Sequence, residues 1–255
     1  MKVGEVRSLI LAAGEGTRMR SELPKVLHAV DGRPMLAWVL DAARAAGVAR
    51  HVVVVGFGAR EVEAAVASPD VAFALQRERR GTGHAVMEAR PHLDGFAGTL
   101  LVLAGDTPLL TSETLLALLS AHRERGASAT ILSARFPDPA GYGRIVRGAD
   151  GRVRRIVEEL DATDAERAIA EVNTGSYAFH APDLLRALEG LRADNAKGEY
   201  YLTDTIGILI ACGRRVEALV AEDHRETIGV NTREGLAEAE ALLRARRSGA
   251  GGRGA

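Results

Sequence analysis

The run Leu9-Ile10-Leu11-Ala12-Ala13, broken at once by Gly14-Glu15-Gly16-Thr17-Arg18-Met19-Arg20, constrains this chain more than any other stretch. An unbroken apolar run of this length reads as a strand buried on both faces, as in the interior of a parallel sheet. The chain then enters a glycine-rich loop carrying fixed positive charge, and Pro24 stiffens the way to a second cation, Lys25. Such loops offer backbone N–H groups and cations to phosphate oxygens, and glycine allows the close approach. Two better-known phosphate loops are excluded. A Walker A loop needs G-x-x-x-x-G-K-[ST], which neither Gly14 nor Gly16 begins, and the dinucleotide fingerprint needs a glycine or alanine where Met19 stands. Taken alone, the loop is equally open to reading as an ordinary strand-to-helix turn with solvated arginines.

The rest of the chain alternates. Helical spacing runs from Met35 to Ala46 and stops at Gly47, residues 60–67 and 83–90 are also helical in pattern, and Pro91 stops the second of these. His51–Val55, Val71–Leu75 and Thr99–Ala104 read as strands, and a helix with Ser112 as N-cap and Glu113 in its first turn runs to Gly126. This rhythm predicts a mostly parallel sheet with helices on both faces, a three-layer α/β/α arrangement. Past Ala127 come a strand at Ala129–Ala134, a hairpin of Arg144–Arg147 with Arg152–Val157, and a strand at Glu171–Phe179. Residues 161–171 read as a polar loop with a helical turn. Helices at Pro182–Glu189, Glu199–Ala211 and Glu234–Arg247, with a strand at Val216–Val220, complete the pattern, and Ser248–Ala255 is expected to be a disordered tail.

Composition narrows the function classes. At 255 residues, 47% hydrophobic and 26% charged, the chain can bury a full core as a soluble globular protein. A net charge of −1 argues against broad binding to nucleic acid or an anionic membrane, so any anion site must be local. Cys212 is the single cysteine, which excludes an intrachain disulfide and a cysteine-based metal cluster. No run approaches the ~20 apolar residues of a membrane span, nor is there a signal h-region, so a cytoplasmic location is expected. The histidines are scattered without a zinc pattern, His84 reads as structural, and no serine has a nucleophile-elbow setting.

In an open α/β sheet, ligands sit beyond the carboxyl ends of the strands. Three segments fall there: the loop from Gly14 to Lys25, Gln76 with Gly81-Thr82, and Gly105-Asp106. Arg18 and Lys25 suit phosphates, Gln76 and the backbone at Gly81-Thr82 suit a base edge, and Asp106 suits Mg²⁺, a hard cation that takes oxygen ligands. Singly, each has a plainer reading: Asp106 as a turn cap, Gln76 as a strand-end surface residue, Lys25 as a solvated lysine. The lack of a nucleophile fits a reaction between two phosphates, where the attacking oxygen is already anionic and the protein holds the partners in line.

Together these residues resemble a known family. LAAGEGTRMRSELPKVLH, from Leu11, is similar to the opening loop of the sugar-1-phosphate nucleotidyltransferases, and QRERRGTGHA, from Gln76, narrows the likeness. It points to the uridylyltransferase part of the bifunctional bacterial enzyme that makes UDP-N-acetylglucosamine. GDTPLL, DPAGYGRI, VNTGSY, NAKGEYYLTD and GVNTR continue the likeness in order over roughly residues 7–245. The resemblance implies a nucleotidyltransferase domain over residues 1–247, with a nucleotide half at about 1–126, a sugar-phosphate half at about 127–230 and a closing helix at 234–247. It implies a uridine site at Leu11, Ala12, Ala13, Gly14, Gln76, Gly81 and Thr82, flanked by Ala104 and Gly105, with Arg18 and Lys25 on the UTP phosphates. Asp106 and Asn231 would hold Mg²⁺, and the sugar 1-phosphate would meet Gly143, Glu158 and Asn173, near Tyr200–Thr203. The implied reaction is attack of N-acetylglucosamine 1-phosphate on the α-phosphorus of UTP, a step in cell-wall precursor synthesis; another sugar 1-phosphate, TTP in place of UTP, or a non-catalytic module are the alternatives.

Two departures stand out. Where the family commonly reads E-H-K-D-A, this chain has Glu158-Glu159-Leu160-Asp161-Ala162, which implies a loss of positive charge beside the sugar. Ala104 stands where some relatives carry tyrosine. The hexapeptide repeats of the family's left-handed β-helix, which carry acetyl transfer and build its trimer, are not in the sequence, so neither acetyl transfer nor a trimer is expected, but a monomer or weak dimer.

Overall fold

A computed structural model describes the backbone of residues 5–250 and the side chains through residue 246. The chain opens with β1 (Val6–Ala12), the short hairpin β2 (Ala29–Val30) and β3 (Arg33–Pro34), and helix α1 (Met35–Ala45). It continues through β4 (His51–Val55), α2 (Ala59–Val66), β5 (Val71–Leu75), α3 (Thr82–Glu88), β6 (Thr99–Ala104) and α4 (Ser112–Glu124). Next come β7 (Ala129–Arg135), the hairpin β8 (Arg144–Arg147) and β9 (Val153–Val157), α5 (Asp164–Arg167) and β10 (Glu171–His180). The chain closes with α6 (Ala181–Leu188), α7 (Asp204–Ala211), β11 (Val216–Val220) and α8 (Arg233–Ala250).

The main sheet runs β11-β7-β10-β6-β1-β4-β5, with the β8–β9 hairpin hung from β10. β1 lies parallel to β4 and β6, β4 to β5 and β7 to β11, while β10 runs antiparallel between β6 and β7. The continuous apolar strands follow from this layering, because alternate residues serve opposite faces. Leu9, Val54 and Val102 pack under α3, α6 and α7. Ile10, Val53, Val55 and Leu101 pack under α1, α2 and α4. α8 closes over β2 and the start of α1 through Ala239 and Leu243, which meet Val30, Met35 and Val230.

The differences from the sequence reading have local causes. The helix predicted from Glu199 starts only at Asp204, because the backbone before it bonds across to another loop: Tyr200 N–H donates to Arg80 O, and Gly83 N–H donates to Tyr200 O, each at 2.7 Å. A tertiary partner thus outcompetes helix propensity. α4 is capped by Thr111 and not Ser112: the Thr111 hydroxyl accepts from Thr114 N–H, and Ser112 turns to Glu113. α3 ends at Glu88, ahead of Pro91, which sits in a separate 3₁₀ turn at Arg90–His92. The final helix continues through residues 248–250, placed in the tail by the sequence reading, since extending a formed helix costs little per residue. Residues 251–255 of that tail lie outside the described residues.

His122 on α4 is 5% exposed, with Nδ1 3.0 Å from Thr130 Oγ1, and burial pulls its pKa down to about 4. The unfolded chain takes up that proton near pH 6.5, so between these values it binds more protons than the fold does. Stability from this group is present above pH 6.5 and lost as pH falls toward 4. Denaturant titrations at pH 7 and 4.5 are expected to show a drop about 2 kcal/mol smaller in His122→Gln than in the wild type; equal drops would clear His122 of this role.

Candidate active site

The loop after β1 is shaped by what must lie against it. Gly16 has φ +66°, and a Cβ there would fall 2.5 Å from Lys25 Cβ, so glycine is required to bring Lys25 under the loop. Met19, 1% exposed, pins the loop to the core. Gly105 N–H donates to Leu11 O at 2.9 Å, which extends the β1–β6 ladder and sets Asp106 beside the loop. Val230 N–H donates to Asp106 O at 2.9 Å and draws in Asn231 from the far end of the chain.

The result is a compact charged cluster. Lys25 Nζ hydrogen-bonds Asp106 Oδ2 and donates to Asn231 Oδ1 at 3.1 Å, while Arg18 Nη2 donates to the same Oδ1 at 3.0 Å. The Lys25 and Asp106 side chains are each 16% exposed, so their attraction is only partly screened by water. A carboxylate and an amide oxygen converging on one cation form a hard-oxygen donor pair. Among the described residues no three His, Cys, Asp or Glu side chains gather into a complete metal cage.

At the other end of the cleft, Gln76 is 5% exposed and continues β5, its N–H donating to Val55 O at 2.8 Å. Its Nε2 donates to Gly81 O and lies against His84 Nδ1, both at 3.1 Å, while His84 Nε2 sits 3.1 Å from Glu88. The Gly81 carbonyl can only accept, so the facing atom of Gln76 is nitrogen, and the histidine tautomer follows from that contact. Both amide hydrogens are thus engaged within the protein, and the Gln76 oxygen is left for a ligand. His84 has the structural place the sequence suggested. Gly81 has φ +103°, and a Cβ there would meet Tyr200 O at 2.6 Å.

Between these ends lie residues from the second half of the chain. The β10–β7 register shifts between Asn173, still paired with Ser133, and Ser176, and Asn173 N–H donates to Gly143 O at 2.8 Å. Glu158 accepts from the Thr203 hydroxyl at 3.0 Å. Burial holds the Glu158 carboxyl above its usual range, and the Thr203 bond opposes that shift. Burial likewise pushes the Tyr177 phenol far up, keeping it neutral.

Leu11, Ala12, Ala13, Gly14, Lys25, Gln76, Gly81, Thr82, Ala104, Asp106, Glu158 and Asn173 line one cavity of about 420 Å³. This is within the ~300–1,000 Å³ of small-molecule sites. Gly105 and Gly143 stand behind its wall, and Arg18 and Asn231 adjoin it through the Lys25 cluster. Arg79, Gly175, Tyr177 and Glu199 also line it, and the sequence reading singled out none of them; Arg79 was one arginine in a charged run, without a signal of its own. Leu202 and Thr203 belong to the stretch expected close by. Glu159, by contrast, does not line the cavity: it pairs with Arg144 at 2.8 Å, so the departure at this position does not set a carboxylate against the cavity. Ser8, His51 and Asp70 fall in line elsewhere, yet Ser8 and His51 are at most 1% exposed and Arg44 holds Asp70, so they form no nucleophile.

Residues 8–204 match the family described as the MobA-like NTP transferase domain. The chain belongs to that family. It is 51% identical over 242 residues to the bifunctional protein GlmU of Pelotomaculum thermopropionicum, covering 95% of this chain and 53% of the relative. The GlmU of Geobacillus thermodenitrificans is 51% identical over 239 residues, with 94% and 52% covered. The chain thus spans about half the length of the curated relatives it matches. A crystal structure of UDP-glucose pyrophosphorylase with UDP-glucose superposes with a TM-score of 0.76 at 17% identity, over 95% of this chain and 99% of that one. That likeness establishes the nucleotidyltransferase fold with its mixed, mostly parallel sheet. Among the described residues there is no left-handed β-helix, and no helix is long and apolar enough to cross a membrane.

Proposed function

We propose that the chain transfers UMP from UTP to N-acetylglucosamine 1-phosphate, releasing pyrophosphate. The observation that carries this reading is a single cavity lined by Gln76, Glu158 and Asn173 and by the Lys25–Asp106 pair, to which Arg18 and Asn231 are joined. The GlmU relatives and the NTP transferase family support it. In this reading, residues to about 126 hold the nucleotide, residues 127–230 hold the sugar phosphate, and α8 closes the domain.

The Gln76 oxygen and the backbone at Gly81 would take the imide edge of uracil. Glu158 and Asn173 would accept and donate to sugar hydroxyls, and the Gly14 loop would face the triphosphate. An oxygen of the sugar 1-phosphate attacks the α-phosphorus, the bond to the bridging oxygen breaks, and pyrophosphate departs. Because the nucleophile is already anionic, the chain needs no general base; Lys25 and Arg18 stabilise the growing negative charge. Mg²⁺ fits the site, because Asp106 and Asn231 already turn two hard oxygens toward the Lys25 cation. Asp106 and Asn231 would hold it, and when bound it would supply charge neutralisation at the phosphates.

The decisive experiment is pyrophosphate release from UTP, Mg²⁺ and N-acetylglucosamine 1-phosphate, run beside TTP and glucose 1-phosphate. The first pair should turn over fastest. A better rate with TTP and glucose 1-phosphate would move the substrate assignment, and tight UTP binding without pyrophosphate release would make the chain a binding module.

A further inference from the structure

Arg144 on β8 is 1% exposed and permanently charged. A guanidinium at that depth persists only where both its N–H groups and its charge are answered. Tyr142 O accepts from Nη1, and Arg167 O accepts from Nε at 3.3 Å and Nη2 at 3.2 Å. The charge is answered by Glu159, with Oε2 2.8 Å from Nη1, while the Arg167 guanidinium stands at the edge, 4.0 Å from Glu159 Oε1.

Glu159 also does something a simple counter-ion need not do. The same Oε2 accepts the backbone N–H of Gly141 at 3.2 Å. It thereby ties the start of the turn at 141–143, where Gly141 has φ +81°, to the buried arginine that holds the turn's middle carbonyl. The end of the turn is fixed from the other side by Asn173 N–H on Gly143 O. A Cβ on Gly143 would come within 3.5 Å of the Glu158 carboxylate, so Gly143 packs against a cavity wall residue next in sequence to Glu159. Glu158 faces the cavity and Glu159 faces away, and the turn lies against both.

We propose that Glu159, acting through Arg144 and the Gly141 N–H, is a positioning residue for the sugar-phosphate side of the cavity: it sets where Gly143 and Glu158 stand. The proposal rests on the reading that Glu158 and Asn173 receive the sugar. It differs from a purely structural role in one respect. Loosening the 141–143 turn moves the sugar-facing wall and leaves the nucleotide wall, built from β1, β5 and β6, where it is.

The test compares the wild type with Glu159→Gln, which keeps the shape and removes the charge, and Glu159→Asp, which keeps the charge and shortens the reach. In the pyrophosphate-release assay, Glu159→Gln should raise KM for N-acetylglucosamine 1-phosphate about tenfold while KM for UTP changes less than about twofold. Glu159→Asp should fall between it and the wild type. Hydrogen exchange on the unliganded proteins should show faster exchange at 141–143 in Glu159→Gln, with unchanged amides in β1 and β6. Unchanged sugar KM, or parallel rises for both substrates, would overturn the proposal, and so would unchanged exchange at the turn. If Glu159→Gln does not fold, Glu159→Asp is judged by the same criteria. A wild type inactive with this substrate pair would defeat the functional reading, and the exchange comparison would then decide the positioning role by itself.

Discussion

Replacing Lys25 with alanine is expected to cut turnover by about 100- to 1,000-fold, the loss typical when one preorganised charge-stabilising group is removed from a water-poor site. Lys25 is well placed for an effect of that size. Its ammonium is 16% exposed at side-chain level and is held by two oxygens on separate chain segments, so it does not reorganise when charge develops. The loss should fall mainly on kcat, with a smaller change in KM for UTP, because the interaction strengthens as negative charge moves toward the departing pyrophosphate. The fold should survive, since residual exposure lets water solvate the Asp106 carboxylate left behind; we expect a cost of about 1–2 kcal/mol, or a few degrees in Tm. Steady-state kinetics beside a thermal melt tests both statements, and wild-type turnover would remove Lys25 from the mechanism.

Asp106→Ala should be at least as damaging, with a different signature. Asp106 supplies the one carboxylate in the donor pair with Asn231, and a divalent ion that shares its shell with substrate phosphates depends heavily on a single such anchor. Turnover should drop by about 1,000-fold, and the Mg²⁺ concentration for half-maximal rate should rise well above that of the wild type. Lys25→Ala should lower the plateau and leave that midpoint much closer to its original value. The two Mg²⁺ titrations therefore separate the roles. An unchanged midpoint in Asp106→Ala would show that this carboxylate does not hold the metal.

Much of the fold was legible because it depends on local chemistry. The β-branched run His51–Val55 has no polar face to expose, so it had to become an inner strand. Gly47, with φ +85°, ends α1 where a left-handed residue is needed. One side of the cavity was legible for the same reason: Gly14, Gln76 and Asp106 each follow closely on the end of β1, β5 or β6, and parallel strands bring such ends to one rim. Arg79, Tyr177 and Glu199 carried no such mark, since an arginine in a charged run, a tyrosine within a strand and a glutamate after a glycine look alike whether or not a cavity lies beside them.

By itself, then, the sequence determined the α/β order, the two-faced strands and the glycine-rich, positively charged loop after β1, all of which arise from periodicity, glycine conformation and side-chain charge within a few residues. Only the tertiary structure decided that residues 199–203 lie as a strap across Gly81, that Glu159 turns away to Arg144, and that Asn231 reaches Lys25 across 206 residues. These are contacts between distant segments, where backbone groups and buried charges choose the partner that satisfies them best, and no local pattern records which partner that is.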